Sequence, residues 1–298
     1  MTIRIGTNEP GGTFNEQGKA LAAVLGENGF ADIEILTTPN ASVANANHLD
    51  RHEADFGFMA SNWIGRARAG TAPFDHPISL RMVSPANAGP MFFVTRAGSD
   101  IATVANIKGR RLAVGVEGGG MTQHVHTIFD VLGISFDDFT PVYVNFPDGA
   151  AALEAGEVDV QWQCPIPNQV MTDLANRTAV KVLSYDQGDL DKLLARVPYY
   201  RPAVVAAGAF PGAGEDVPQV GVLNVLVCHE RTDETVVRNV VAAMVAHGDA
   251  LTRHCPLYAT LPPLWEPLRS QGAAAFDIDG VALHPGAVRA YAEAGYFA

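Results

Sequence analysis

The sequence predicts an α/β protein built as two lobes with a ligand cleft between them. Short β-rich runs alternate with amphipathic stretches along most of the chain, which implies largely parallel sheets covered by helices on both faces. Two such alternating runs appear, separated near Phe92–Ser99, and a further extended segment, Val220–Cys228, precedes the C-terminal region. The loops that leave the strands carry Gly, Pro, Ser, Thr or Asn where the next helix begins, the composition of helix starts that present backbone N–H groups.

Taken in order, Ile3–Thr7, Ile33–Thr37, Ala54–Met59, Arg111–Val116, Thr140–Val144, Val158–Gln163 and Val180–Ser184 read as buried strands. Glu16–Asn28, Val43–His52, Thr122–Leu132, Gly149–Gly156 and Asn168–Asn176 read as helices between them. Phe92–Arg96, closed by the turn signal Gly98-Ser99-Asp100, and Val222–Cys228 read as paired strands crossing between lobes. The passage from Pro198 to Pro218 is rich in Pro, Gly and Ala and reads as non-helical, and the C-terminal region reads as helical. The expected division is 1–95 plus 223–298 for a discontinuous first lobe and 96–222 for the second.

Composition narrows the function. At 298 residues, 48% hydrophobic and 17% charged, the chain can bury a sizeable core. Its 20 basic and 32 acidic residues leave a formal charge of −12, a field that repels phosphate backbones, so no nucleic-acid partner is expected. No apolar run approaches the roughly 18 to 20 residues of a membrane span. The chain opens directly on a strand at Thr2–Thr7, so either a leader was removed or the protein is cytosolic. Three cysteines, Cys164, Cys228 and Cys255, match no metal or redox spacing.

The loops carry the functional reading. Pro10-Gly11-Gly12-Thr13-Phe14, Thr38-Pro39-Asn40-Ala41-Ser42 and Ser61-Asn62-Trp63 follow strands of the first half. Glu117-Gly118-Gly119-Gly120-Met121-Thr122 and Cys164-Pro165-Ile166-Pro167-Asn168 follow strands of the second. In open α/β sheets such loops gather at the carboxyl ends of the strands, where ligands bind. Each helix start carries roughly half a positive charge, so several together hold an anion without Arg or Lys. The expected ligand contacts are Thr13, Asn40, Ser42, Asn45, Ser61 and Asn62 from the first lobe. Gly118, Gly119, Met121, Thr122, Gln163, Pro165 and Asn168 supply those of the second, with Phe14 and Trp63 against the ligand's carbon frame. No cofactor and no metal ligand is expected. A single loop of this kind is an ordinary βα turn; five divided between two halves favour a site.

The same segments resemble the TAXI solute-binding proteins of TRAP (tripartite ATP-independent periplasmic) transporters. Ile5-Gly6-Thr7 with Gly11-Gly12-Thr13-Phe14 is similar to that family's Gly-Gly-Thr-aromatic opening, Ser42-Val43-Ala44-Asn45 to its Ser-x-x-Asn helix start, and Ala54-Asp55-Phe56-Gly57-Phe58 to its Ala-Asp-hydrophobic-Gly strand. Ile107–Gly115, Gly156–Val160 and the C-terminal Leu283-His284-Pro285-Gly286-Ala287 with Tyr291–Gly295 extend the resemblance over essentially the whole chain. It implies a periplasmic receptor of the type II, Venus-flytrap fold that acts as a monomer, is not an enzyme, and passes a small organic acid or amino acid to TRAP permease subunits. Hinge motion at the crossover strands would exchange open and closed forms. Asn62 stands where relatives often carry Asp, and Gly118–Thr122 replaces a Gly-Ser-Gly-Thr type loop. A neutral amide suits a ligand ammonium less than an acid does, which favours a carboxylate or dicarboxylate lacking an amino group.

Sharper chemistry is weaker here. His48 and His52 have the four-residue spacing of a metal pair but no metalloprotease Glu between them, and a solvent-facing position is favoured. His124 and His126 read as helix residues, and Cys164 as a small wall residue. Glu117–Gly120 has neither dinucleotide nor phosphate-loop spacing, no Gly-x-Ser-x-Gly elbow occurs, and Leu283–Ala287 reads as a turn. The competing reading is a leaderless cytosolic enzyme or sensor on the same fold, with Cys164 and His124 as its first candidates.

Overall fold

The computed structural model describes residues 2–38, 41–163, 165–197 and 199–298. The chain forms two compact units, Met1–Ala88 with Leu223–Ala298, and Gly89–Val222.

The first unit starts with β1 (Thr2–Gly6), α1 (Thr13–Glu27), β2 (Asp32–Leu36), α2 (Ala41–Asp50), β3 (Phe56–Ala60), α3 (Ile64–Ala69) and β4 (Leu80–Asn87). Alternation in β1 turns Ile3 and Ile5 inward, and the 3.6-residue period of α1 brings Phe14, Leu21, Val24 and Leu25 onto the sheet. Gly18 sits where a Cβ would meet Thr7 Cγ2 at 2.5 Å, so glycine lets the helix lie against the end of β1.

The second unit holds β5 (Pro90–Arg96), β6 (Arg111–Gly115), α4 (Gly120–Leu132), β7 (Thr140–Tyr143), α5 (Phe146–Ala155), β8 (Val160–Gln163), α6 (Gln169–Arg177), β9 (Val180–Val182), α7 (Gln187–Arg196), β10 (Tyr200–Val205) and β11 (Val217–Val222). Its strand order is β10-β11-β5-β8-β6-β7, with β9 also pairing β5. One face of β5 packs Phe92 and Val94 against Leu153, Met171 and Leu174. The alternate residue Phe93 stacks on Phe129 of α4 at 5.6 Å and leans on Trp162 at 4.4 Å.

The chain returns to the first unit through β12 (Asn224–His229), then α8 (Glu234–Ala246), α9 (Gly248–His254), α10 (Leu261–Trp265), α11 (Pro267–Gln271) and α12 (Pro285–Glu293). The first sheet runs β2-β1-β3-β12-β4. β12 lies antiparallel between β3 and β4 and is buried throughout, in keeping with the apolar run Val225–Cys228 along its middle. α12 packs on α8 at Gly286, where any Cβ would run into the Glu234 carbonyl. His284 Nδ1 accepts from the Gly286 N–H at 3.1 Å and caps α12, so the Leu283–Ala287 turn has a structural role.

The extended segments differ from their sequence reading. Phe92–Arg96 lies inside the second sheet and pairs with β8 and β9, while Pro90 and Met91 just before it pair with β11; none of these residues pairs with β12. The apolar run Val220–Cys228 breaks at Leu223, so its halves serve different sheets. The chain crosses at 88/89, where the sequence reading set 95/96, and at 222/223. The Pro198–Pro218 passage contains β10, which is paired with β11.

A directional amide relay joins both crossings to α1. Gln17 Nε2 donates to the Ala86 carbonyl at 3.1 Å, Asn87 Nδ2 donates to Gln17 Oε1 at 2.7 Å, and Asn224 Nδ2 donates to Asn87 Oδ1 at 3.0 Å. Asn87 ends β4 and Asn224 opens β12, so the strands that leave and re-enter the first unit are tied to one helix.

Candidate functional site

Strand direction fixes where the loops gather. β1, β2 and β3 are parallel, and β12 runs against β3 and β4, so the ends of the first three strands lie beside Asn87 and Asn224. In the second unit β6, β7 and β8 are parallel, while Phe92 of β5 faces Gln163 of β8 and Pro90 faces Gly221 of β11. Within each unit, then, the βα loops sit at the end of the sheet where the chain crosses.

In the first unit, α1 begins after Gly12 without a side-chain cap, leaving its leading N–H groups to the loop. Asn8 Oδ1 accepts one of them, from Asn15, at 2.7 Å. Thr13, the first helical residue, is half-buried. Ser42 and Asn45 are turned to structure: Ser42 Oγ accepts the Ala60 N–H at 3.1 Å, while Asn45 donates to the Phe58 carbonyl at 2.9 Å and accepts from Thr38 Oγ1 at 3.1 Å. Asn40 lies outside the described residues. Ser61 is 2% exposed, its N–H donates to the Leu223 carbonyl at 2.9 Å, and its hydroxyl has no protein partner. Asn62 Oδ1 is likewise buried without a partner. Phe14 and Trp63 belong to the hydrophobic core: Phe14 stacks on Phe58 at 5.7 Å, and Trp63 meets Phe74 edge-on at 6.5 Å under the Arg66 guanidinium.

In the second unit, Gly118 has φ +70° and Gly119 is the N-cap of α4, again without a side-chain cap. A Cβ on Gly119 would meet Val116 O and Cγ2 at 2.9 Å, so the turn requires glycine. Thr122 Oγ1 donates back into the loop, to the Val116 carbonyl at 2.7 Å, and the Met121 carbonyl accepts from Trp162 Nε1 at 3.1 Å. Asn168 caps α6, its Oδ1 accepting the Met171 N–H at 2.8 Å, while Pro165 abuts Gly89 at the crossing. Cys164 lies outside the described residues. Gln161 Nε2 donates to the Phe146 carbonyl at 2.8 Å, so its Oε1 faces Gln163, whose Nε2 donates to it at 3.0 Å. Gln163 Oε1 is left fully buried and unpartnered.

The sequence reading missed Asn15, the Gln17–Asn87–Asn224 relay, and two exposed apolar residues, Val116 and Tyr143, at the ends of the paired strands β6 and β7. Val116 ends the expected strand Arg111–Val116 and Tyr143 lies one residue inside the end of Thr140–Val144, so their positions were readable; the relay's Asn87–Asn224 bond spans 137 positions and left no local signal.

The other chemical candidates resolve into structure. His124 is buried, its Nδ1 lies 3.0 Å from the Tyr200 hydroxyl, and burial pushes its pKa down to about 4. His126 stacks on Phe136 at 3.7 Å. His48 Nδ1 meets Glu53 Oε2 at 2.7 Å, and the His52 ring lies against His229. Burial raises the Cys228 thiol to about 12 and raises Cys255 as well, the opposite of an activated nucleophile. Among the described residues, no cluster of three or more His, Cys, Asp or Glu could hold a metal ion, and no helix is long and apolar enough to cross a membrane.

The fold is that of periplasmic solute-binding proteins. The aliphatic sulphonate binding protein SsuA of Escherichia coli superposes with a TM-score of 0.54 at 19% identity, over 98% of this chain and 82% of that one. The periplasmic sulfonate-binding protein SsuA of Methylobacillus flagellatus gives 0.53 at 13% identity, over 100% and 97%. A structure from the glutathione import system of Streptococcus mutans, described with GshT and the cystine ABC importer TcyBC, gives 0.51 at 11% identity, over 87% and 95%. Residues 5–295 match the sequence profile of the NMT1-like family, and with nearly its whole length inside that match and two α/β units beneath it, this chain belongs to the NMT1-like family.

Proposed function

We propose that this protein is an extracytoplasmic receptor that binds a small organic acid and delivers it to a membrane transporter. The observation that carries the reading is the pair of helix starts whose N-cap residue is a glycine with no side chain to offer, α1 after Gly11-Gly12, where Asn8 takes only the Asn15 N–H, and α4 after Gly118-Gly119, one at the crossing end of each unit. First-turn N–H groups and the helix dipole favour an anionic head group there without a cationic side chain. The unpartnered groups of Ser61, Asn62 and Gln163 lie at the same ends and would orient it. Thr13, Gly118, Gly119 and Met121 would complete the contacts, with Val116 and Tyr143 offered to the carbon frame. The sulfonates named for the SsuA neighbours carry, like a carboxylate, a singly charged oxyanion head group.

The finer assignment is to a TRAP-type permease. It rests on the TAXI resemblance of Gly11–Phe14 and of Leu283–Ala287 with Tyr291–Gly295, whereas the Methylobacillus flagellatus and Streptococcus mutans neighbours are named with ABC transporters. Calorimetric titration of the full chain with carboxylates, sulfonates and amino acids tests the receptor reading. One-to-one binding of a carboxylate without turnover is expected; binding of none, or steady consumption of a bound acid, refutes it. Uptake by vesicles containing TRAP or ABC permease subunits then assigns the partner.

A further inference from the structure

Three buried polar atoms at the crossing end of the first unit, Asn15 Oδ1, Ser61 Oγ and Asn62 Oδ1, lack partners, and hydrogen-bond logic fixes what the first of them presents. Thr7 Oγ1 lies 2.9 Å from the Leu36 carbonyl and 3.2 Å from the Asn8 carbonyl, both obligate acceptors, so the Thr7 hydroxyl spends its proton on them. The Asn15 amide 3.3 Å away must therefore turn its NH2 toward Thr7. That leaves Asn15 Oδ1, on a side chain 1% exposed in the first turn of α1, as an acceptor with no donor. Ser61 Oγ, which can donate, stands at the end of the neighbouring strand β3.

A bare carboxylate answers the helix start and the Ser61 hydroxyl but leaves the Asn15 oxygen stranded. An ammonium would answer Asn15, yet the acids of these loops are exposed: Glu9, Glu117 and Glu16, the last paired with Lys19 at 2.9 Å. None supplies the buried countercharge an ammonium needs. A neutral donor beside the acid fits both demands. Building on the receptor reading above, we infer that the ligand is a hydroxy acid, its carboxylate held by the start of α1 and Ser61 and its adjacent hydroxyl donating to Asn15 Oδ1.

Matched acids differing in one substituent test this on the full chain: succinate, malate and aspartate; propionate, lactate and alanine; glutarate, 2-hydroxyglutarate and glutamate. In at least one set the hydroxy acid is expected to bind about tenfold or more tightly than both relatives. Asn15→Ala should bring that ratio close to one, chiefly by weakening the hydroxy acid, with circular dichroism confirming the fold. Equal binding of hydroxy and deoxy acids, or tightest binding of the amino acid, overturns the inference and leaves the receptor reading standing. If no acid binds, both fall. Should Asn15→Ala fail to fold, the three sets on the unaltered protein still decide.

Discussion

Asn45 and Asn15 are the same residue type, each near a helix start and each nearly inaccessible, yet their amides serve different ends. Asn45 spends both halves on the backbone of β3 and on Thr38, bracing a turn, whereas Asn15 retains one free oxygen. Pattern places such a residue near a site, but the direction of its amide depends on partners distant in sequence. That is why Ser42 and Asn45 looked like ligand contacts and Asn15 did not. His124 carries a consequence that can be measured. Its folded pKa of about 4 lies below the ordinary 6.5, so between those values the unfolded chain binds the extra proton. Stability from keeping this ring neutral is complete above pH 6.5 and is lost as pH falls toward 4. At ~1.4 kcal/mol per pKa unit it amounts to about 3 kcal/mol. His229 and His284 are lowered in the same sense and add to that limb. Urea titrations from pH 7 to 4 should show a shallower loss of stability for His124→Gln than for the unaltered chain.

At the scale of elements, strands with strong apolar character were legible and those under mixed demands were not. β4 contains Pro85 and pairs with β12 through register shifts, so its pattern is broken. β10 is an edge strand with exposed Arg201 and Val204 around Pro202, which hides it among turn-like residues. β11 and β12 merged into one apparent strand because Leu223 offers no turn signal between them. The βα loops of the candidate site were readable from their glycines, since a positive φ or a close approach at Gly118 and Gly119 leaves a compositional mark. Packing of α12 on α8 is the most sensitive helix contact. A Cβ at Gly286 has no room between the Glu234 carbonyl and the Arg238 N–H, both backbone groups that cannot rotate away. Gly286→Ala should therefore cost about 2–3 kcal/mol despite the better helix propensity of alanine, read as a fall in the urea midpoint at unchanged slope. A rise in stability would show that α12 can slide.

For the whole molecule, the division of the chain makes the two units unequal. The second is continuous, and its strands, helices and the Phe92 core all fall within 89–222. The first draws its core from both ends of the sequence. A fragment spanning 89–222 should fold alone, with cooperative thermal unfolding by circular dichroism, whereas 1–88 alone should not. A fragment 89–222 without a cooperative transition would mean that its stability is borrowed.

That inequality also imposes an order on synthesis. β4 finds its sheet partner in β12, and its Met82 bridges to Leu283, both translated after the entire second unit. Once Val222 has emerged from the ribosome the second unit has all of its residues free to fold, while the buried side of Leu80–Asn87 has no neighbour to zip onto. The last helices must emerge before the first strands are sealed. The interval between is when the young polypeptide has most need of a chaperone and is most open to a protease.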